Sequence, residues 1–324
     1  MKKSFFFLTS LFASSTALAQ NVAKETVEHM PENWFPIATE VRTNDAADLV
    51  GMPYDTSLAM TYSPDTVSTG YLGFLQSSAG IANWVFASVV IVAIIFAIFM
   101  LINGRAKLVN GFSGKLIRRW SIGDVALHWL VAIPGVILIL TGLVIGSGWK
   151  WLMPLMGADT WGSFIKGCTM FHNFFAIFFA IGGIILMIKW MSRQIPASYD
   201  LKWFARLGGY INSGNKIHPD AGFANAGEKA FYWCFVIFGL LLISTGLLML
   251  WPDYFSLSKS QQLGAIVLHI VSAVVLSAFS VVHIFMGSVM SEGSIETMLS
   301  GKCDENWAKQ NHNLWYAKVS STLK

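Results

Sequence analysis

From residue 83 onward the chain alternates between long apolar runs and shorter polar, basic stretches. The runs lie at 83–102, 122–146, 167–188, 230–251 and 263–290. Each is long enough to cross the hydrocarbon core of a bilayer as a helix. Pro134 sits inside the second and is tolerated there as a kink within a bundle. The first run, "WVFASVVIVAIIFAIFMLI", has no ionisable residue and reads as a plain lipid-facing anchor. The pattern before it is different. Residues 20–80 are polar and turn-rich, with eight acids against Lys24 and Arg42. Such a segment has little core of its own and reads as an extramembrane stretch ordered by a partner. The opening "MKKSFFFLTSLFASSTALAQ" has a basic start, a short apolar core and a small-residue site. It reads as a secretory signal peptide cleaved after Ala19, with an uncleaved anchor as the alternative. The expected order is a signal peptide (1–19), a periplasmic segment (20–82), an extra transmembrane helix (83–102), a helical bundle (115–290) and a tail (291–324).

Composition supports an integral, all-α membrane protein. The chain is 54% hydrophobic and 12% charged, about half the charge of a soluble domain. A net charge of +4 on 324 residues gives no reason to expect a nucleic-acid partner. The distribution of charge is more informative. Loops 103–121 and 189–229 and the tail hold fifteen Lys and Arg, against five (Lys24, Arg42, Lys150, Lys166 and Lys259) on the other side. Basic loops stay cytoplasmic, so a mature chain with five spans starts in the periplasm of a bacterial inner membrane, as a signal peptide requires. Cys168, Cys234 and Cys303 form no CxxC or CxxCH motif and read as packing residues.

Four histidines lie inside the spans. His269 and His283, in "AIVLHIVSAVVLSAFSVVHIF", are fourteen residues apart, roughly 21 Å along a helix and within about 40° of one face. His128 lies about two turns inside the second span from its cytoplasmic end, and His172 about two turns inside the third from the periplasmic end. Depth therefore pairs His128 with His283 and His172 with His269. A single membrane histidine is more often an interhelical hydrogen bond than a ligand. Four at paired depths, with no acid well inside any span, fit two haem irons, each held between two imidazoles on facing helices. Zinc wants four close ligands, and proton relays usually include carboxylates. "LILTGLVIG" and "LISTGLLML" repeat a Thr-Gly pair, Thr141-Gly142 and Thr245-Gly246. The glycines suit either close approach of a porphyrin or ordinary helix packing. His29, His218 and His312 lie in polar segments and are not expected to be ligands.

Further strings extend this reading. "FANAGEKAFYW" at 223–233, the His269/His283 spacing, and "HIFMGSVMSEGSIETMLSGKCDENWAKQNHNLWY" from 283 resemble the gamma subunit, cytochrome b556, of membrane-bound respiratory formate dehydrogenases over roughly 115–324. The resemblance implies a four-helix bundle with two haem b groups. His128 and His283 would hold the cytoplasmic iron, and His172 and His269 the periplasmic one. It also implies a quinone site, for menaquinone or ubiquinone, at Asn225 and Gly227. The implied partners are an iron–sulfur beta subunit, a catalytic alpha subunit and the membrane quinone pool. Two departures stand out. The segments before residue 115 are extra relative to short members, and the family's further glutamine near the quinone falls at Ile237.

The function expected from these features is an electron conduit, from a periplasmic iron–sulfur subunit through both haems to quinone near Asn225. Asn225 also reads as a helix N-cap, while Glu228, Lys229 and His218 are titratable neighbours. The cytochrome b subunit of a nickel–iron hydrogenase has the same bundle chemistry and a different donor. A haem-free transporter with gating histidines is the alternative from another class.

Overall fold

The computed structural model describes residues 81–211, 218–257 and 259–321. The expected signal peptide and most of the acidic segment lie outside them. Among the described residues, five helices are long and apolar enough to cross a membrane, over Phe86–Asn103, Ile122–Gly148, Thr160–Arg193, Ala226–Leu250 and Gly264–Met290. They belong to α1 (Ile81–Asn103), α2 (Ile122–Trp151), α4 (Ala158–Trp190), α6 (Ala226–Leu250) and α7 (Lys259–Phe285), with a short α3 (Met153–Met156) between α2 and α4. The fold is that of a multi-pass helical membrane protein.

Helix ends follow local chemistry. Helix α4 begins at Ala158, well before the apolar run at 167, because Gly157 turns the chain with φ +80° and frees it to restart. Helices α2 and α6 open on the same reciprocal device. Ser121 Oγ accepts from the Asp124 amide at 3.1 Å, and the Asp124 carboxylate accepts from Ser121 N at 3.3 Å. Asn225 Oδ1 accepts from Glu228 N at 2.9 Å, and Glu228 Oε2 accepts from Asn225 N at 3.0 Å. Each pair is a capping box that satisfies two otherwise orphaned amides.

The chain divides into two units. Among the described residues, the first holds 81–88, 135–177 and 238–277 except for 258. Here Gly148 lets the Trp161 ring lie against α2, where a Cβ would meet the indole at 2.7 Å. The Phe86 and Trp151 rings lie 6.0 Å apart.

The second unit holds 89–134, 178–237 and 278–321, with 212–217 undescribed. Its helical part joins a polar layer built from the chain's last residues. Strands β1 (Leu116–Arg118) and β2 (Lys302–Asp304) pair antiparallel, Ile117 opposite Cys303. Between and after them come α8 (Glu296–Ser300), α9 (Glu305–Asn311) and α10 (Asn313–Ser320). Leu108, Cys303, Trp307, Ala308 and Trp315 form a buried cluster. Asp304 caps α9 through Asn306 N at 2.8 Å and also accepts from Ser113 N and Gly114 N. These bonds to its ionised form hold its carboxyl below the usual range, against the opposing effect of desolvation.

His312 is wholly enclosed by this layer, with Nδ1 2.9 Å from the Gly222 carbonyl. Burial, then the Arg119 guanidinium, pushes its pKa down to about 4, against the opposing pull of Glu228 and the Gly222 carbonyl. The ring is therefore neutral at pH 7, and its 4.0 Å approach to Glu228 is not an ion pair there. An unfolded histidine titrates near 6.5, so between about 6.5 and about 4 the undocked tail binds the extra proton. Docking of residues 302–320 should weaken as pH falls through that window. Hydrogen exchange at pH 7 and pH 5 checks this, and equal protection at both values would refute it.

Candidate haem centres

Helices α2 and α7 bring His128 and His283 together, with ring centroids 6.3 Å apart. Helices α4 and α7 do the same for His172 and His269, at 6.4 Å. The four rings are half-buried. An imidazole nitrogen binds a metal at about 2.0–2.1 Å, with the ring centroid about 1.1 Å beyond it. Two imidazoles on opposite sides of one iron thus have centroids about 6.3 Å apart. Both pairs fit that span. Among the described residues no group of three or more His, Cys, Asp or Glu could hold a metal. A bis-imidazole haem needs two protein ligands, whereas structural zinc needs four.

The supports differ between the pairs. Thr141 Oγ lies 2.9 Å from His172 Nδ1, and Thr245 Oγ lies 2.9 Å from His269 Nδ1. Each threonine spends its single proton on its own helix, Thr141 on the Ile137 carbonyl at 2.7 Å and Thr245 on Leu241 at 2.6 Å. Its oxygen can then only accept from the ring. Nδ1 of each histidine must carry the proton, which leaves the Nε2 lone pair for a metal. The following glycines lie against the same rings. A Cβ on Gly142 would meet His172 Cε1 at 3.4 Å, and one on Gly246 would meet His269 Cε1 at 3.6 Å. Sequence reading singled out these Thr-Gly pairs for their glycines and missed the hydroxyls, although the signal was the threonine in the repeated dipeptide.

His128 is held by aromatic packing instead. Trp190 lies parallel to it at 6.4 Å and Trp129 edge-on at 5.2 Å. Its buried Nδ1 has no hydrogen-bond partner among the described residues. His283 stacks on Phe231, with centroids 4.0 Å apart and planes 9° from parallel. Trp190 is held by its Nε1 donating to the buried Asp124 carboxylate at 2.9 Å, where Lys189 also binds at 2.9 Å.

At the start of α6, Asn225 is the cap residue described above, using Oδ1. No described residue accepts from its Nδ2. The space beside Gly227 is taken by Trp203, which a Cβ would meet at 2.9 Å. Glu228 accepts from Arg119 at 3.0 Å, and Lys229 donates at 2.9 Å to buried Asp200, the first residue of the short α5 (Asp200–Ala205), which also accepts from Ala197 N. Both acid–base pairs are structural ties that the sequence alone did not connect. His218 lies beside Gly209.

Two facing imidazole pairs on membrane-crossing helices define a multi-pass membrane cytochrome b. The family model of the prokaryotic cytochromes b561 matches residues 119–301, more than half of the sequence. The chain belongs to that family. It is 26% identical over 208 residues to the nitrate-inducible formate dehydrogenase cytochrome b556(Fdn) subunit of Escherichia coli strain K12, covering 63% of this chain and 92% of the relative. It is also 26% identical over 200 residues to the formate dehydrogenase cytochrome b556(fdo) subunit of that strain, covering 61% and 90%. The formate dehydrogenase cytochrome b556 subunit of Haemophilus influenzae is 29% identical over 192 residues, covering 58% and 77%.

Proposed function

We propose that this chain is the di-haem cytochrome b subunit of a formate dehydrogenase. In this reading it carries electrons from a periplasmic iron–sulfur subunit to membrane quinone, with formate oxidised on a separate catalytic subunit. The observation that carries the reading is the pair of imidazole separations, 6.3 and 6.4 Å, each of which would suit two histidines holding one haem iron. The names of the relatives favour formate as the source of electrons over hydrogen. When bound, each haem supplies reversible one-electron transfer. The chain's own residues do the rest. His172 and His269, with their Nε2 lone pairs free, would hold one haem, and His128 and His283 would hold the other from an aromatic setting. The fifteen-to-five asymmetry of Lys and Arg supports a cytoplasmic position for the His128/His283 end and the tail.

Quinone reduction belongs at the start of α6. Its first-turn amides and the positive end of its dipole favour an acceptor gaining negative charge. Asn225 Nδ2 donates to the quinone carbonyl while Oδ1 stays on the cap, and Gly227 lets Trp203 close against the same turn. Asn225→Asp keeps the cap and removes the amide donor. The variant complex should retain both haems and their reduction by formate, with quinone turnover reduced ~10–100-fold on the scale of a lost oriented donor. Full quinone turnover would leave Asn225 with its capping role alone. Mass spectrometry of subunits co-purified with the native protein, together with a reduced visible spectrum, tests the wider reading. Absence of both haem α-bands and iron–sulfur partners would overturn it.

A further inference from the structure

The two histidine pairs differ in one chemical respect that the proposed function does not use. Both rings of one pair donate from Nδ1 to a threonine oxygen, whereas neither His128 nor His283 donates to a described residue. We infer that Thr141 and Thr245 are positioning residues that make the haem of His172 and His269 the lower-potential one of the two, the one suited to receive electrons first. This inference rests on the proposed haem ligation.

A ring that donates from Nδ1 gains electron density at Nε2 and becomes a stronger ligand, and more strongly so for ferric than for ferrous iron. Preferential stabilisation of the oxidised state lowers the reduction potential. Each threonine is a better acceptor than a free hydroxyl because its own proton is committed to a helix carbonyl, which polarises the oxygen. The arrangement occurs twice, at 2.9 Å each time, on different helices. Both axial ligands of one iron are therefore tuned in the same direction. The other iron has neither contribution. The buried Nδ1 of His128 has no acceptor among the described residues, and Phe231 covers one face of His283 with an apolar ring. Electrons entering at the threonine-supported pair would then pass downhill to the unsupported one, in the direction that feeds quinone at α6.

The test is a redox titration of the α-bands in the intact, membrane-extracted complex. The wild type should show two transitions, and His172→Ala should remove the lower one. Thr141→Val and Thr245→Val keep the side-chain shape and delete the acceptor. Each should raise only the lower transition, leaving the upper one in place. A tenfold loss in the preference for ferric over ferrous iron reads as about 59 mV upward for this one-electron couple. Thr141→Ser and Thr245→Ser should restore the wild-type value. Valine variants with full haem content and unchanged potentials would overturn the inference. So would a His172→Ala protein that keeps the lower transition, and that arm decides the matter even if a valine variant fails to hold haem. A wild-type complex without two haems would instead overturn the ligation itself.

Discussion

Replacing one histidine of a pair with alanine should remove one haem and spare the other. His128→Ala and His283→Ala should give the same residual spectrum, and His172→Ala and His269→Ala the complementary one. The 6.3 and 6.4 Å separations are the observation behind the proposed ligation, in which each pair would hold one haem iron. Losing one ring would remove one of the two residues holding that haem and lower its affinity by ~10–100-fold or more, given what even outer-shell losses cost. Double mutants separate this from general instability. The double within one pair should lose no more haem than either single, while a double across pairs should lose both. Haem-to-protein ratios by pyridine haemochrome measure it. Two haems per chain in any of the four single variants would break the pairing.

The second large effect concerns stability. Lys229→Met should destabilise the protein by about 3–5 kcal/mol, because it leaves the Asp200 carboxylate buried without its cation. The two side chains are only 7% and 13% exposed, and Lys229 Nζ reaches both carboxylate oxygens at 2.9 Å. Asp200 also caps Ala197 N at 2.7 Å, so the stranded charge cannot simply turn away. The double variant Asp200→Asn with Lys229→Met should recover part of the loss, since it removes the uncompensated charge and keeps an amide at the cap. Denaturant midpoints in detergent measure both. Equal midpoints for wild type and Lys229→Met would show that the pair is solvated and contributes little.

The spans were legible because an apolar run long enough to cross a bilayer has few other uses. The paired histidines were legible because depth along a helix follows from counting residues. Contacts that depend on distant segments were not. Thr141 and His172 are on different helices, and nothing in either stretch says that a hydroxyl will meet a ring nitrogen. Lys229 was counted as one loop charge among many, yet its partner, Asp200, opens a different, short helix. Gly227 reads as a space-making residue, and nothing near it in sequence says that Trp203 fills the space. The tail looked like a polar end. Its three-residue strand is too short to show a period, and its partner strand is equally short.

That strand pairing bears on how the protein is made. Residues 116–118 wait for 302–304, the amide of Leu108 for Glu292, and the amide of Val109 for Gln310. The loop between the first two spans thus reaches its final form only after the ribosome has delivered nearly the whole chain. Any product that ends early lacks the strand, the tryptophan cluster and the cover over Arg119. The paired layer therefore certifies that synthesis has passed residue 310, and chains truncated before it should present an open loop to membrane proteases.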